Sequence, residues 1–292
     1  MQLRRKLFRR TGKKRINRSI AGNMTFLFFL TIIGAFMALP LVYAIANAFK
    51  PLEEILMFPP KFYVMNPTFN NFLDLFDVAT SQWVPFSRYL FNSVFVSVAA
   101  TGSYLVIAAM CAYVLSRHEF YGKTTLNSVI IVSLLFTSTV MGIPQYIIMS
   151  KLGFIDTPMA IIFPILGSTL GVFLLKQIMD TYPETIIESA KIEGANEMQL
   201  CWRIVMPGVK PGWITLIIFT FQNVWNSTAS NMIFTENIKV LPTMLMQIVS
   251  TGIARAGVGA AASMFIMIPP IVVFVISQSK IIETMSHSGI KE

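Results

Sequence analysis

Polar and apolar positions in this chain segregate into long stretches. Six stretches contain no Asp, Glu, Lys or Arg: Ser19–Phe49, Tyr89–Ser116, Thr124–Ser150, Thr157–Leu175, Pro211–Thr235 and Ala256–Ser279. The shortest holds 19 residues. A helix needs about 20 apolar residues to cross ~30 Å of hydrocarbon. The pattern therefore predicts an all-α integral membrane protein with six transmembrane helices, at about 24–48, 89–115, 125–150, 157–175, 211–233 and 257–279. A seventh uncharged stretch, Val240–Ala254, holds 15 residues and includes Pro242, Ser250, Thr251 and Gly252. It is too short and polar to span, and reads as a re-entrant or a surface helix.

Composition agrees with this reading. Of the 292 residues, 54% are hydrophobic and 13% charged, about half the charged share of a soluble domain, and the mean hydropathy is +0.65. A soluble fold of this length has too few buried positions for so much apolar surface; a bilayer supplies the missing apolar solvent. The net charge of +9 raises the question of nucleic acid, because Arg4, Arg5, Lys6, Arg9, Arg10, Lys13, Lys14, Arg15 and Arg18 crowd the start of the chain. Cytoplasmic flanks of membrane helices explain the excess better, through anionic headgroups and the positive-inside bias. With both termini inside, 17 Lys and Arg lie on the cytoplasmic side and 6 outside. Residues 1–23 then form a basic cytoplasmic arm, 24–281 the transmembrane domain and 282–292 a cytoplasmic tail. The apolar run Met24–Ala48 is 25 residues long. It exceeds the roughly 7–15 of a signal-peptide core and reads as an uncleaved first span.

The chain offers little chemistry of its own. Cys111 and Cys201 sit in different predicted environments, and His118 and His287 lie far from either, so no catalytic or metal-binding set forms. Gly122-Lys123-Thr124 ends like a phosphate-binding loop, but Arg117 stands where that loop needs glycine. No ionisable residue other than cysteine and tyrosine falls within the six spans, which argues against an ion-coupled carrier. Pro40, Pro144, Pro164, Pro269 and Pro270 lie inside spans; they bend helices, either to shape packing or to let a helix flex beside a cavity. The loop Lys50–Arg88 between the first two spans mixes prolines with aromatics. It reads either as a folded lip over the membrane or as a docking surface, with a helix over Asn66–Asp77 and Thr68 as its cap.

The most informative segment is the cytoplasmic loop 176–210, between the fourth and fifth spans. Pro183-Glu184 reads as a helix start and Gly194 as its stop. Ile186, Ile187, Ala190 and Ile192 provide an apolar side. Ala195-Asn196-Glu197 starts a second short helix that Pro207 ends. Within it stands Glu188-Ser189-Ala190, three residues, Gly194, nine residues, then Ile204-Val205-Met206-Pro207. This resembles the pattern E-A-A-(three)-G-(nine)-I-x-L-P of permease subunits of bacterial ABC importers, with Ser189 and Met206 as its two departures. Gly171–Gln177, Phe219 with Phe221, Trp225-Asn226 and the tail Ser286–Lys291 are further similar to carbohydrate permeases, in particular the smaller partner of a maltose-transporter-type pair.

The resemblance implies a transport subunit, not an enzyme, in the bacterial inner membrane. It implies a second permease, two ATP-binding subunits, an extracytoplasmic solute-binding protein, and membrane lipid and a saccharide as further partners, with no nucleic acid. It implies no cofactor in this chain, ATP and Mg being held by the partner ATPase. Glu188, Ser189, Ala190, Glu193, Gly194, Ala195 and Pro207 become candidate ATPase-coupling residues. On the substrate side, Gln222, Asn223 and Asn226 are amides at membrane depth beside Trp225. They suit sugar hydroxyls and apolar sugar faces, but amides also join helices through hydrogen bonds. Other solutes of the same superfamily, such as amino acids, peptides or acidic oligosaccharides, stay open.

Overall fold

The computed structural model describes residues 20–81, 84–136, 138–229, 231–250, 252 and 255–288. Most of the basic arm and the last four residues of the tail lie outside them. Among the described residues fourteen α-helices follow in chain order: α1 Ile20–Ala48, α2 Leu52–Ile55, α3 Asn70–Ser81, α4 Phe86–Arg117, α5 Lys123–Ser133, α6 Ser138–Lys151, α7 Met159–Leu166, α8 Thr169–Asp180, α9 Glu184–Ile192, α10 Glu197–Gln199, α11 Met206–Gly208, α12 Lys210–Trp225, α13 Leu241–Val249 and α14 Ala256–Ser288. A π-helical segment, Leu200–Val205, joins α10 to α11, and a 3₁₀ turn at Glu236–Ile238 precedes α13.

Among the described residues, four helical stretches are long and apolar enough to cross a membrane: Gly22–Ala48, Phe86–Arg117, Met159–Asp180 and Ala256–Gln278. A fifth arises if Glu197–Gly208 and Lys210–Trp225, which meet at 85°, count together. The remaining expectations are modified in two places. The stretch 125–150 is two helices, because successive i→i−3 bonds from Leu134, Leu135 and Phe136 tighten the end of α5 and stop it. The stretch 211–233 is helical only to Trp225. Beyond Asn226 other groups claim the backbone: the Thr243 hydroxyl donates to the Thr228 carbonyl. The Asp156 carboxylate accepts from the N–H groups of Phe234 and Thr235, at 2.9 and 2.8 Å. The 85° bend follows from Pro207 and Pro211, which cannot continue an i→i−4 ladder.

Packing centres on α4, which joins three apolar clusters. Tyr104, Ala108, Ala109, Ala112 and Tyr113 of α4 pack with Leu175 and Met179 of α8 and with the buried side of 187–206. Val96 and Ala100 pack with α6, α7 and Val240. Tyr89 packs with Leu75, Trp225, α13 and the start of α14. Polar groups on α4 fasten the segment before α13: Asn92 donates to the carbonyls of Asn237 and Lys239, at 2.9 and 3.0 Å, and Ser93 accepts from Leu241 at 2.6 Å. α13, the uncharged stretch too short to span, is buried along Leu241–Leu245 and Ile248. In the lip, α3 begins at Asn70, four residues later than expected, and the Thr68 hydroxyl accepts from the Asn70 N–H at 3.1 Å.

α1 buries almost nothing. Leu27, Phe28, Phe36 and Met37 are all exposed, and the helix leans on α14. A soluble fold does not leave such a stripe bare; a lipid-facing helix does.

Two proline features of the long helices have specific partners. Pro270 has no N–H for the carbonyl four residues earlier, that of Ile266. The Trp225 indole N–H donates to it at 2.9 Å. α7 and α8 part at Gly167 and Ser168, and the Ser168 side chain makes no cap bond. Instead the Tyr104 hydroxyl spans the joint, donating to the Ser168 carbonyl at 2.7 Å and accepting from the Gly171 N–H at 2.8 Å. One phenol thus satisfies groups on both sides of a broken helix.

Candidate functional site: a membrane-side loop and an amide-lined cavity

The loop 183–209 is built from matched local signals. Pro183 occupies the cap position of α9, one place earlier than expected, and Glu184 lies in its first turn. Gly194 takes φ of +87°. Its N–H donates to Lys191 at 3.0 Å while that of Ala195 donates to Ala190 at 3.0 Å, the paired closure that a left-handed glycine permits. The next turn opens on a reciprocal cap: Gln199 N–H donates to the Asn196 side chain at 2.8 Å and Asn196 N–H to the Gln199 side chain at 3.0 Å. The second helix ends at Gly208, so Pro207 sits within its last turn and does not end it.

The loop is clamped to the ends of α4 and α8. Tyr113 donates to a Glu197 carboxylate oxygen at 2.6 Å; Lys191 lies 3.5 Å and His118 3.3 Å from the same carboxylate. That phenol, with the nearby Lys191 ammonium, outweighs desolvation and holds Glu197 below the usual carboxylate range. The Arg117 guanidinium donates to the carbonyls of Met179 and Tyr182 at the end of α8. Cys201 is buried, and burial pushes its thiol up to about 11, which makes it inert.

The expected coupling residues divide. Glu188, Ser189, Glu193, Gly194 and Pro207 are exposed. Ala190 is not: it points with Ile187 into the chain's own core, so it seats α9 on the protein and forms no part of the outer face. Ala195 is half-buried beside it. The apolar groups on the outer face are Ile186, Met198 and Ile192, the last 88% exposed. Their periodicity did not separate them from Ile187, since only packing reveals which side of a nine-residue helix is covered.

Where α12 ends, a cavity of about 860 Å³ opens between α6, α7, α12 and the segment 227–232. Gln222, Asn223 and Asn226 line it, as do Gln145 of α6 and Asn231 beyond α12. None of these five side-chain amides is spent on a hydrogen bond within the described residues, so they do not join helices here. Trp225 is excluded from the cavity. It is 1% exposed, stacked on Phe221 at 5.7 Å and bonded to α14. The exposed aromatic in its place is Phe219. Gln145 escapes sequence reasoning because it lies 77 residues before Gln222, in a segment that only the fold brings near; Asn231 escapes it because the predicted span 211–233 ends as helix at Trp225. A smaller cavity of about 380 Å³ against α14 shares Gln222 and Asn226 with the first.

The family described as the inner membrane component of binding-protein-dependent transport systems matches residues 19–285. The chain belongs to that family. This transport component is 29% identical over 256 residues to the inner membrane ABC transporter permease protein YcjP of Escherichia coli K12, covering 86% of this chain and 90% of YcjP. It is 28% identical to the polygalacturonan/rhamnogalacturonan transport system permease protein YtcP of Bacillus subtilis 168, covering 76% of each. Its fold is similar to a chain of a bacterial ABC transporter involved in import of the acidic polysaccharide alginate, with a TM-score of 0.73, 19% identity, and coverage of 90% of this chain and 98% of that one. The loop and the cavity are therefore features of a membrane permease.

Proposed function

We propose that this chain is one of two permeases of an ABC importer in the bacterial inner membrane, carrying oligosaccharides by alternating access. The observation that carries the substrate class is the cavity of partnerless amides at the end of α12, together with family membership. Hydroxyl-rich solutes need groups that both donate and accept, and side-chain amides do both. The saccharide names of relatives such as YtcP support the same class. The chain works with a second permease, two ATP-binding subunits that hold ATP and Mg, and an extracytoplasmic solute-binding protein. It carries no cofactor of its own.

Six spans lie between a cytoplasmic arm and tail, with α5 and α6 as one broken span, α7 and α8 as another, and α12 as a short fifth. Loop 176–210 docks on the ATPase through the exposed side of α9, Glu188, Ser189 and Glu193, with Ile186 and Ile192 beside them. ATP-bound closure of the partner then biases the permease between inward- and outward-facing states.

Deleting the gene and screening growth on saccharides, amino acids and peptides tests the class. Growth on one or more oligosaccharides is expected to fail while growth on the others is kept. Loss confined to peptides or amino acids overturns the reading.

A further inference from the structure

Resting on the oligosaccharide reading above, we infer that the cavity at the end of α12 is a saccharide subsite for an uncharged, hydroxyl-rich segment, with Gln145 and Asn231 among its specificity-determining residues. Five amides converge on it from three separate segments: Gln145 from α6, Gln222, Asn223 and Asn226 from α12, and Asn231 from the following turn. Each offers two N–H donors and a carbonyl acceptor. None is satisfied by another described group of the protein. Such groups are left for water or a ligand, and a ring of sugar hydroxyls matches their mixed donor and acceptor character.

Charge defines the class further. None of the lining residues among the described ones is ionisable. One ionised group close to the lining is a carboxylate: the N–H of Asp156 donates to the Met232 carbonyl at 2.8 Å. Its oxygens are committed to Phe234 and Thr235, and those donors hold its carboxyl below the usual carboxylate range. Among the described residues, a uronate entering this space meets no guanidinium or ammonium in the lining. A carboxylate out of bulk water needs such a partner. Neutral sugar units need only the amides, with Phe219 offering a flat apolar face for the C–H side of a ring.

The test uses the assembled importer, with both permeases, ATPases and binding protein, in proteoliposomes. The probes are neutral trisaccharides (maltotriose, xylotriose and arabinotriose) and the acidic trigalacturonate. Uptake of a neutral trisaccharide is expected, with trigalacturonate carried at least tenfold more slowly. Gln145→Ala and Asn231→Ala should each reduce that neutral uptake by about tenfold, the scale of one or two lost hydrogen bonds. Co-purification of the partner permease should stay unchanged. Asn223→Asp and Asn223→Lys should impair neutral uptake to similar extents, since charge of either sign is unmatched.

Equal or faster trigalacturonate uptake overturns the inference and leaves the importer reading standing. So does a strong asymmetry in which Asn223→Lys gains uptake and Asn223→Asp loses it. Alanine variants within twofold of the parent also overturn it, and variants that shed the partner permease assign the amides to the subunit interface instead. Failure to carry any of the four saccharides, with peptides carried instead, overturns the oligosaccharide reading itself.

Discussion

Gly194 holds φ of +87° with nothing within 4 Å of where a Cβ would stand. Any penalty for replacing it is conformational. Gly194→Ala is expected to cost about 1 kcal/mol locally, without a clash, and to keep most ATPase binding. Gly194→Pro removes the N–H that donates to Lys191 and demands φ near −65°. It should abolish pull-down of the ATPase subunit and uptake while membrane expression persists. Normal pull-down and uptake by that variant would mean the loop does not couple. Gly194 was legible because helix stop, cap and spacing all pointed to one place. Ala190 was half-legible: its apolar character was clear, and its inward direction became visible only from the residues of α4 and α8 that cover it. Trp225 misled for a physical reason, since an indole suits a sugar face and a buried carbonyl equally well.

At the scale of elements, the division of a span into α7 and α8 was not readable from composition, because Thr157–Leu175 is uniformly uncharged. It depends on Tyr104, a residue more than 60 positions away that supplies hydrogen bonds to both sides of the joint. Tyr104→Phe should leave the Gly171 N–H buried and unpaired, at about 1–3 kcal/mol, and the half-buried Ser168 carbonyl without its partner. Gly171→Ala places a Cβ 2.5 Å from Leu216 and 2.6 Å from the Tyr104 hydroxyl, an overpacking of about 1–3 kcal/mol. Both variants are expected to lower the melting temperature of the detergent-solubilised protein by several degrees. Gly142→Ala, with open space around it, should not. Equal melting of all three would remove Tyr104 as the fastening of the joint. The stretches that were legible as spans, α1, α4, Met159–Asp180 and α14, are those whose apolar runs are long enough to cross the bilayer; the joint inside Met159–Asp180 was not.

For the whole molecule, the bias of Lys and Arg predicts the sides. Reporter fusions after Asp156 and Glu236 are expected to read extracytoplasmic, and those after Glu119 and Asn196 cytoplasmic. A cytoplasmic signal at Asp156 would invert the topology. On that expectation the amide cavity lies toward the outer side and the loop 183–209 toward the inner; α4 runs through the clusters at both ends.

The Trp225 indole replaces a donor that Pro270 cannot supply. Asn226, the next residue, lines the large cavity, and with Pro270 it also lines the smaller one. The bend of α14 and the position of a cavity-lining amide are therefore linked through one hydrogen bond. A change of bend at the proline pair is expected to shift the indole and, with it, the neighbouring amide. The last span, which contributes no side chain to the large cavity, sets the shape of its wall.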